Sequence, residues 1–288
     1  MDLFNKVLFP VDFSERSRAA APFALSMAQR YKSGVVLLHA FEPPPPLYGG
    51  MNTVYPVDYD FSSMEIEMRV KLLDFAKEYL PRVEVACVTE TGFPAPVITR
   101  YASENGVTLI AMPTHGYGPF RRALLGSVTA KVLHDSQVPV WTDAHTPEPS
   151  HRAHPQPRHI LVALDLKPES RLTLETALEI AKNSGATVEI VHAAPEGEIT
   201  ALHSEAQLTE VVAQAAREAL VGVTQEAGEG IEVVVDAGSV AKLLRSVALR
   251  KRSDLIVIGR GAIQEGISRF RANAYEIVRE APCPVISV

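Results

Sequence analysis

Cysteine is almost missing from this sequence, with Cys87 and Cys283 alone among 288 residues and far apart in the chain. Their number and spacing exclude a disulfide-stapled scaffold and any CxxC redox or metal motif, and both read as reduced, buried thiols. A basic surplus is missing too, since 28 Lys and Arg stand against 34 Asp and Glu, a formal net charge of −6. A protein of that balance lacks the field that displaces counterions from nucleic acid, so no nucleic-acid partner is expected. Long apolar runs are absent: no stretch is long enough to cross a bilayer. The start, MDLFNKVLFPVDF, carries an acid at position 2 and too short an apolar run for a signal peptide. The expectation is a soluble, cytoplasmic protein with no membrane partner.

What is present is a core. At 47% hydrophobic content, 288 residues suffice for two ordinary domains. Lys6 to Asp12, KVLFPVD, is a short apolar run ending in an acid, as in a buried parallel strand whose carboxyl end meets solvent. Ser14 caps a following helix with Glu15 in its first turn, apolar positions at Phe23, Leu25 and Met27, a kink at Pro22, and an end near Gly34. A second strand spans Val35 to Ala40. The segment from Glu42 to about Asp60, with Pro43 to Pro46, is too proline-rich for a helix or a central strand and reads as a semi-rigid surface loop. Helix is expected from Met64 to Tyr79, strand from Val83 to Thr89, helix from Ala95 to Glu104, a further helix to about Asp135, and a last strand from Val138 to Thr142. The order βαβαβαβαβ implies a parallel sheet with helices on both faces.

Residues 143–157, DAHTPEPSHRAHPQP, lose their hydrophobic residues and read as a connector. Its histidines, His145, His151 and His154, lack the spacing of a metal site. Beyond it the order repeats: HILVALD answers KVLFPVD, TVEIVHA answers VVLLHA, DLIVIG answers TLIAMP, and APCPVISV answers SQVPVWTD. The division is residues 1–143, a linker at 144–157, and residues 158–288. Asp12 to Asp165 and His39 to His192 are both 153 residues apart, whereas Gly92 to Gly238 and Pro139 to Pro284 are 146 and 145 apart. The first half therefore carries about seven extra residues, placed in the proline-rich loop, as a lid over the first-half site or as a surface insertion.

The most informative stretch runs from Leu109 to Lys131: an apolar strand, a glycine-bearing loop, and a helix opening at Gly126-Ser127. Such a loop presents unpaired backbone N–H groups that suit a phosphate. Gly116 and Gly126 let the backbone approach a ligand, and Ser127 is placed to cap the helix or to bond a phosphate oxygen. The residues after the strand, Pro113-Thr114-His115-Gly116, nine further positions and Gly126-Ser127, resemble the G-x2-G-x9-G-[ST] motif of nucleotide-binding universal stress proteins, and the whole chain resembles a tandem member of that family.

The resemblance implies an α/β fold of two tandem doubly wound, Rossmann-like domains of the adenine nucleotide alpha hydrolase type, each with a five-stranded parallel sheet. It implies ATP or a related adenine nucleotide as ligand, with magnesium as companion ion to the phosphates. Asp12 and the backbone around Val11 would hold the adenine or ribose side, Ala40 would flank the base, and Met112 would line the pocket, with Pro10 and Pro113 in the same set. His115, Gly116, Gly126, Ser127, Val128 and Thr129 would surround the phosphates. Pro113 stands where the first glycine belongs and brings no N–H. In the second half the loop reads Gly259-Arg260-Gly261-Ala262, nine positions, then Ala272-Asn273, so this half is expected to bind nucleotide poorly or not at all, while Arg269 and Arg271 leave room for another anion. The fifth strands, VPVWT and CPVIS, are by resemblance the edge through which domains pair, giving an internal pseudo-dimer and a homodimer of chains.

No catalytic constellation is visible. A P-loop is missing, GYGPFR at Gly116 fails the dinucleotide fingerprint, and a Ser127/His115/Asp12 triad lacks a nucleophile elbow. Val88-Thr89 and Trp141-Thr142 occupy the strand ends where a receiver-type phosphoacceptor would need an acid and a lysine. The expectation is a stress-response regulator, not an enzyme beyond slow ATP hydrolysis, whose bound nucleotide orders loops read by a protein partner. The alternative is a scaffold or protein-interaction module that binds no nucleotide.

Overall fold

The computed structural model describes residues 4–41, 48–49, 53–54, 61–114, 125–144, 156–164, 170–194, 207, 210–211, 214, 231–259 and 269–288. Strand β1 covers Lys6–Pro10. It stops two residues before the expected Asp12 because Phe13, in the left-handed region at φ 60°, turns the chain towards a helix. Helix α1 is Glu15–Tyr31, and Ser14 caps it by accepting the Ser17 N–H at 3.2 Å. It ends at Lys32, which takes the left-handed position at φ 53° and donates its N–H to Ala28 O. Gly34, expected near the helix end, is instead the first residue of strand β2, Gly34–Phe41.

Alanines make up most of the buried face of α1: Ala20, Ala21, Ala24 and Ala28, with Met27. Small side chains let the helix axis lie close to the sheet, and Phe23 and Leu25 are only half-buried. α1 runs through Pro22, which is exposed along with Arg18, so the carbonyl that proline leaves without its usual donor stands on the solvent side.

Within the proline-rich segment a two-residue antiparallel pair forms, β3 (Tyr48–Gly49) with β4 (Thr53–Val54); the rest of that segment lies outside the described residues. Helix α2 is Phe61–Tyr79, three residues longer at its start than expected. Strand β5 is Val85–Thr91, shifted two residues onward, because Arg82 at φ 64° holds the chain in a turn. Helix α3, Pro94–Glu104, has proline in its first turn, where no helical N–H is needed. Strand β6 is Leu109–Met112, helix α4 Ser127–Asp135, and strand β7 Val140–Thr142. β7 starts after Pro139, not at Val138, since proline has no N–H for the ladder; its carbonyl still accepts Ile110 N–H at 2.9 Å.

The second half contributes β8 (His159–Ala163), α5 (Ser170–Ser184), β9 (Thr187–Ala194), β10 (Glu232–Ala237), α6 (Val240–Lys251), β11 (Leu255–Ile258), α7 (Arg269–Glu280) and β12 (Val285–Ser287). The two sets of five strands merge into one ten-stranded sheet in the order β10-β9-β8-β11-β12-β7-β6-β1-β2-β5. All neighbours are parallel except β12 and β7, which run antiparallel with Ile286 opposite Trp141. Each half is thus doubly wound, and the halves meet through their fifth strands. Buried residues of α1, α2 and α5 fill the core on one sheet face, and those of α3, α4, α6 and α7 the core on the other.

Candidate functional site

In a doubly wound sheet the strand order reverses beside the first strand, and the crevice outside the carboxyl ends opens there. Here β1 lies between β2 and β6, so the reversal falls between β1 and β6. A cavity of about 220 Å³ opens at that point. From β1 and the turn after it come Pro10, Val11 and Asp12; β2 supplies Ala40; Met112 and Pro113 come from the end of β6. Gly126, Ser127, Val128 and Thr129 come from the start of α4. Every expected site residue among the described ones therefore meets in one hollow, although three strand ends and a helix contribute. His115 and Gly116 lie outside the described residues.

Four lining residues were not expected: Ser17, Leu38, Pro94 and Ile98. Pro94 and Ile98 bring a wall from α3, which covers the sheet face behind β2. Only the 3.6-residue spacing of Pro94 and Ile98 hinted at a shared face, and which neighbour that face meets depends on the crossover.

Asp12 is held at the mouth of the cavity. Its Oδ1 accepts Ser14 N–H at 3.0 Å and Ser17 Oγ–H at 2.5 Å, so it fastens the first turn of α1 with one oxygen. Fastening the helix and contacting a ligand are compatible here because the carboxylate has a second oxygen. His39 Nδ1–H donates to Val11 O at 2.7 Å and ties the end of β2 to the same turn.

The two helix starts differ. That of α1 is closed by Ser14, whereas α4 has Gly126 as N-cap and no side-chain cap. Ser127 is the first helical residue, not the cap, and its side chain is exposed. Its hydroxyl thus keeps the second of the two roles expected for it. The hydroxyl of Thr129 is committed elsewhere, donating to Pro113 O at 3.0 Å, so this buried residue offers the cavity its backbone and not a free hydroxyl proton. An uncapped helix start of nine residues, facing a hollow with an apolar wall, suits an anionic group joined to a flat apolar one.

The matching place in the second half is built differently. Gly259 answers Pro113, and a Cβ there would lie 2.6 Å from Thr173 Oγ1. Thr173 answers Ala20 at the 153-residue offset. Asp165, Arg260 and Gly261 lie outside the described residues.

"Universal stress protein MJ0577" of Methanocaldococcus jannaschii is 26% identical over 151 residues, covering 48% of this chain and 93% of its own length. "Universal stress protein YxiE" of Bacillus subtilis is 28% identical over 144 residues, 48% of this chain and 97% of its own. A crystal structure of a universal stress protein from Archaeoglobus fulgidus matches the whole fold at a TM-score of 0.67 and 24% identity, covering 98% of this chain and 97% of that one. The model of the Universal stress protein family matches residues 3–142 and again residues 157–288. The chain belongs to the universal stress protein family, as two such domains in tandem.

Proposed function

We propose that the first half binds ATP or a related adenine nucleotide in the cavity between β1, β6 and α4, and that this binding is how the protein serves the stress response. The observation that carries the reading is the convergence of Asp12, Ala40, Met112 and the uncapped start of α4 on one hollow. In it, Leu38, Ala40, Ile98 and Met112 offer an apolar slot for a base. Asp12 offers an acceptor for ribose hydroxyls, and the Ser127 to Thr129 amides a dipole for phosphate. Pro113 removes one amide from the expected set but leaves the other donors in place. Magnesium, where it accompanies the ligand, would supply charge neutralisation at the phosphates.

The protein acts in this reading as a nucleotide-regulated binder, not a catalyst. Asp12, the carboxylate among the described lining residues, already has one oxygen engaged by Ser14 and Ser17. The second half acts as a partner domain without the glycine-serine landmarks, and protein partners read the loops that the ligand orders.

Denaturing the purified protein and analysing what is released tests this. Adenine nucleotide in the supernatant, or a melting temperature raised by millimolar ATP, is expected. Protein free of ligand, unmoved by ATP and silent in calorimetry, rejects the reading and leaves a scaffold.

A further inference from the structure

The base of the loop after β6 is closed by a side chain that does not line the cavity. Thr114 N–H and Thr114 Oγ1–H both donate to Asp143 Oδ1, at 2.7 and 2.9 Å. The carbonyl of Thr114 accepts Gly126 N–H at 2.9 Å, and Gly126 is the N-cap of α4. One residue earlier, Pro113 O accepts the Thr129 hydroxyl at 3.0 Å. The two residues leaving β6 are therefore bonded both to the start of α4 and to the end of β7. Thr114 is buried, 1% exposed, and bonds to a carboxylate in such a place are stronger than neutral ones.

A carboxylate beside an anion-binding loop opposes the anion by Coulomb repulsion, so its presence calls for an explanation. The second half supplies a comparison. There Val288 stands 145 residues after Asp143, next to Ser287 as Asp143 is next to Thr142, and it donates its backbone N–H to Ile258 O at 2.9 Å. That backbone bond needs no side chain, and Arg260, which answers Thr114, lies outside the described residues.

We propose that Asp143 is a positioning residue of the first-half site: it fixes Thr114, and through the Thr114 carbonyl the Gly126 amide, so that both ends of the loop at residues 115–124 stand at a set separation and the start of α4 faces the cavity. Because Thr142 pairs with Val285 across the junction of the halves, the same clamp joins the ligand loop to the inter-domain strands. This rests on the nucleotide reading above.

The experiment compares the full chain with Asp143→Asn and Thr114→Val. ATP affinity is measured by calorimetry, and hydrogen exchange is followed over residues 112–127 without ligand. Asp143→Asn is expected to weaken ATP binding about tenfold, the loss of charge from two hydrogen bonds, and to speed exchange at Thr114 and Gly126 with little change in melting temperature. Thr114→Val, which keeps the amide bond, is expected to weaken binding about threefold and covers the case in which Asp143→Asn folds poorly. Unchanged exchange in both variants overturns the clamp even where ATP binds, and so does accelerated exchange with undiminished affinity. If the unaltered protein binds no ATP while the variants exchange faster, the nucleotide reading fails and the clamp at the loop base stands.

Discussion

The two halves share a set of hydrogen bonds and place different side chains around them. In the first, Val11 N–H donates to Leu38 O at 2.9 Å and His39 Nδ1–H to Val11 O at 2.7 Å; in the second, Leu164 N–H donates to Val191 O at 3.1 Å and His192 Nδ1–H to Leu164 O at 2.8 Å. Ile110 N–H reaches Pro139 O at 2.9 Å, and Ile256 N–H reaches Pro284 O at 3.0 Å. Interactions that survive in a half without the glycine-serine landmarks belong to the fold, so the paired histidines are struts of the turn after the first strand. What differs is free to carry function or idiosyncrasy. Val36 lies in the core of the first half, but its counterpart Glu189 is a buried carboxylate near His159 Nε2 at 3.2 Å and Lys251 Nζ at 3.4 Å. His159 also bonds Ser253 Oγ at 2.9 Å, and Lys251 bonds Glu232 at 2.6 Å. The valine shows that the sheet needs no charge there.

The strongest way to break the comparison is at the junction. Trp141 is buried, stacked on Phe23 at 3.3 Å between ring centroids, and opposite Ile286. Trp141→Ala is expected to cost about 4 kcal/mol in urea unfolding followed by far-ultraviolet circular dichroism. A sharper contrast comes from making one change in both halves. Ala40→Trp fills the cavity and is expected to lower ATP affinity at least about a hundredfold, whereas Ala193→Trp leaves it within about twofold, both read by calorimetry.

Gly259→Ala drives a methyl towards Thr173 Oγ1 and is expected to cost about 2 kcal/mol of stability, most of it recovered when Thr173→Ala gives the second half the small residue of the first. The smallest effect concerns the thiols. Burial pushes both above the ordinary range, Cys283 much further, with Asp254 adding to the rise and Arg69 partly offsetting it for Cys87. A thiol reagent at pH 8 should therefore label Cys87 in the native protein and reach Cys283 only on unfolding. Because the raised values belong to the folded state, their stabilisation is full below about pH 8.5 and falls as pH rises further; Cys283→Ala should flatten that alkaline slope.

Much of this was legible in the sequence because the repeat reports on itself. The offsets, 153 falling to 146 and 145, align the halves strand by strand, and the acids, prolines and glycines at strand ends mark where a ligand crevice must open. Boundaries slipped where single backbone angles decide them: Phe13, Lys32 and Arg82 take left-handed conformations that no residue-type rule assigns to phenylalanine, lysine or arginine. Of the cavity wall, α3 is not legible because Pro94 and Ile98 reach it only through the fold, nor is Ser17, because a serine in the first turn of a helix gives no sign that it turns back to a carboxylate five residues earlier. Asp143 looked like the first residue of a connector. Glu189 had a visible signal, an acid inside an apolar strand whose copy holds valine, but one carboxylate does not name its neighbours.

The antiparallel pairing of β7 with β12 has a consequence for assembly. Two separate chains joined along such an edge would come apart on dilution, and their pairing would depend on expression level. With both strands on one polypeptide, association is replaced by an effective molarity set by the tether, so the pair persists at any abundance. Its stoichiometry is fixed at one of each kind, which lets the two members diverge without ever having to recognise themselves.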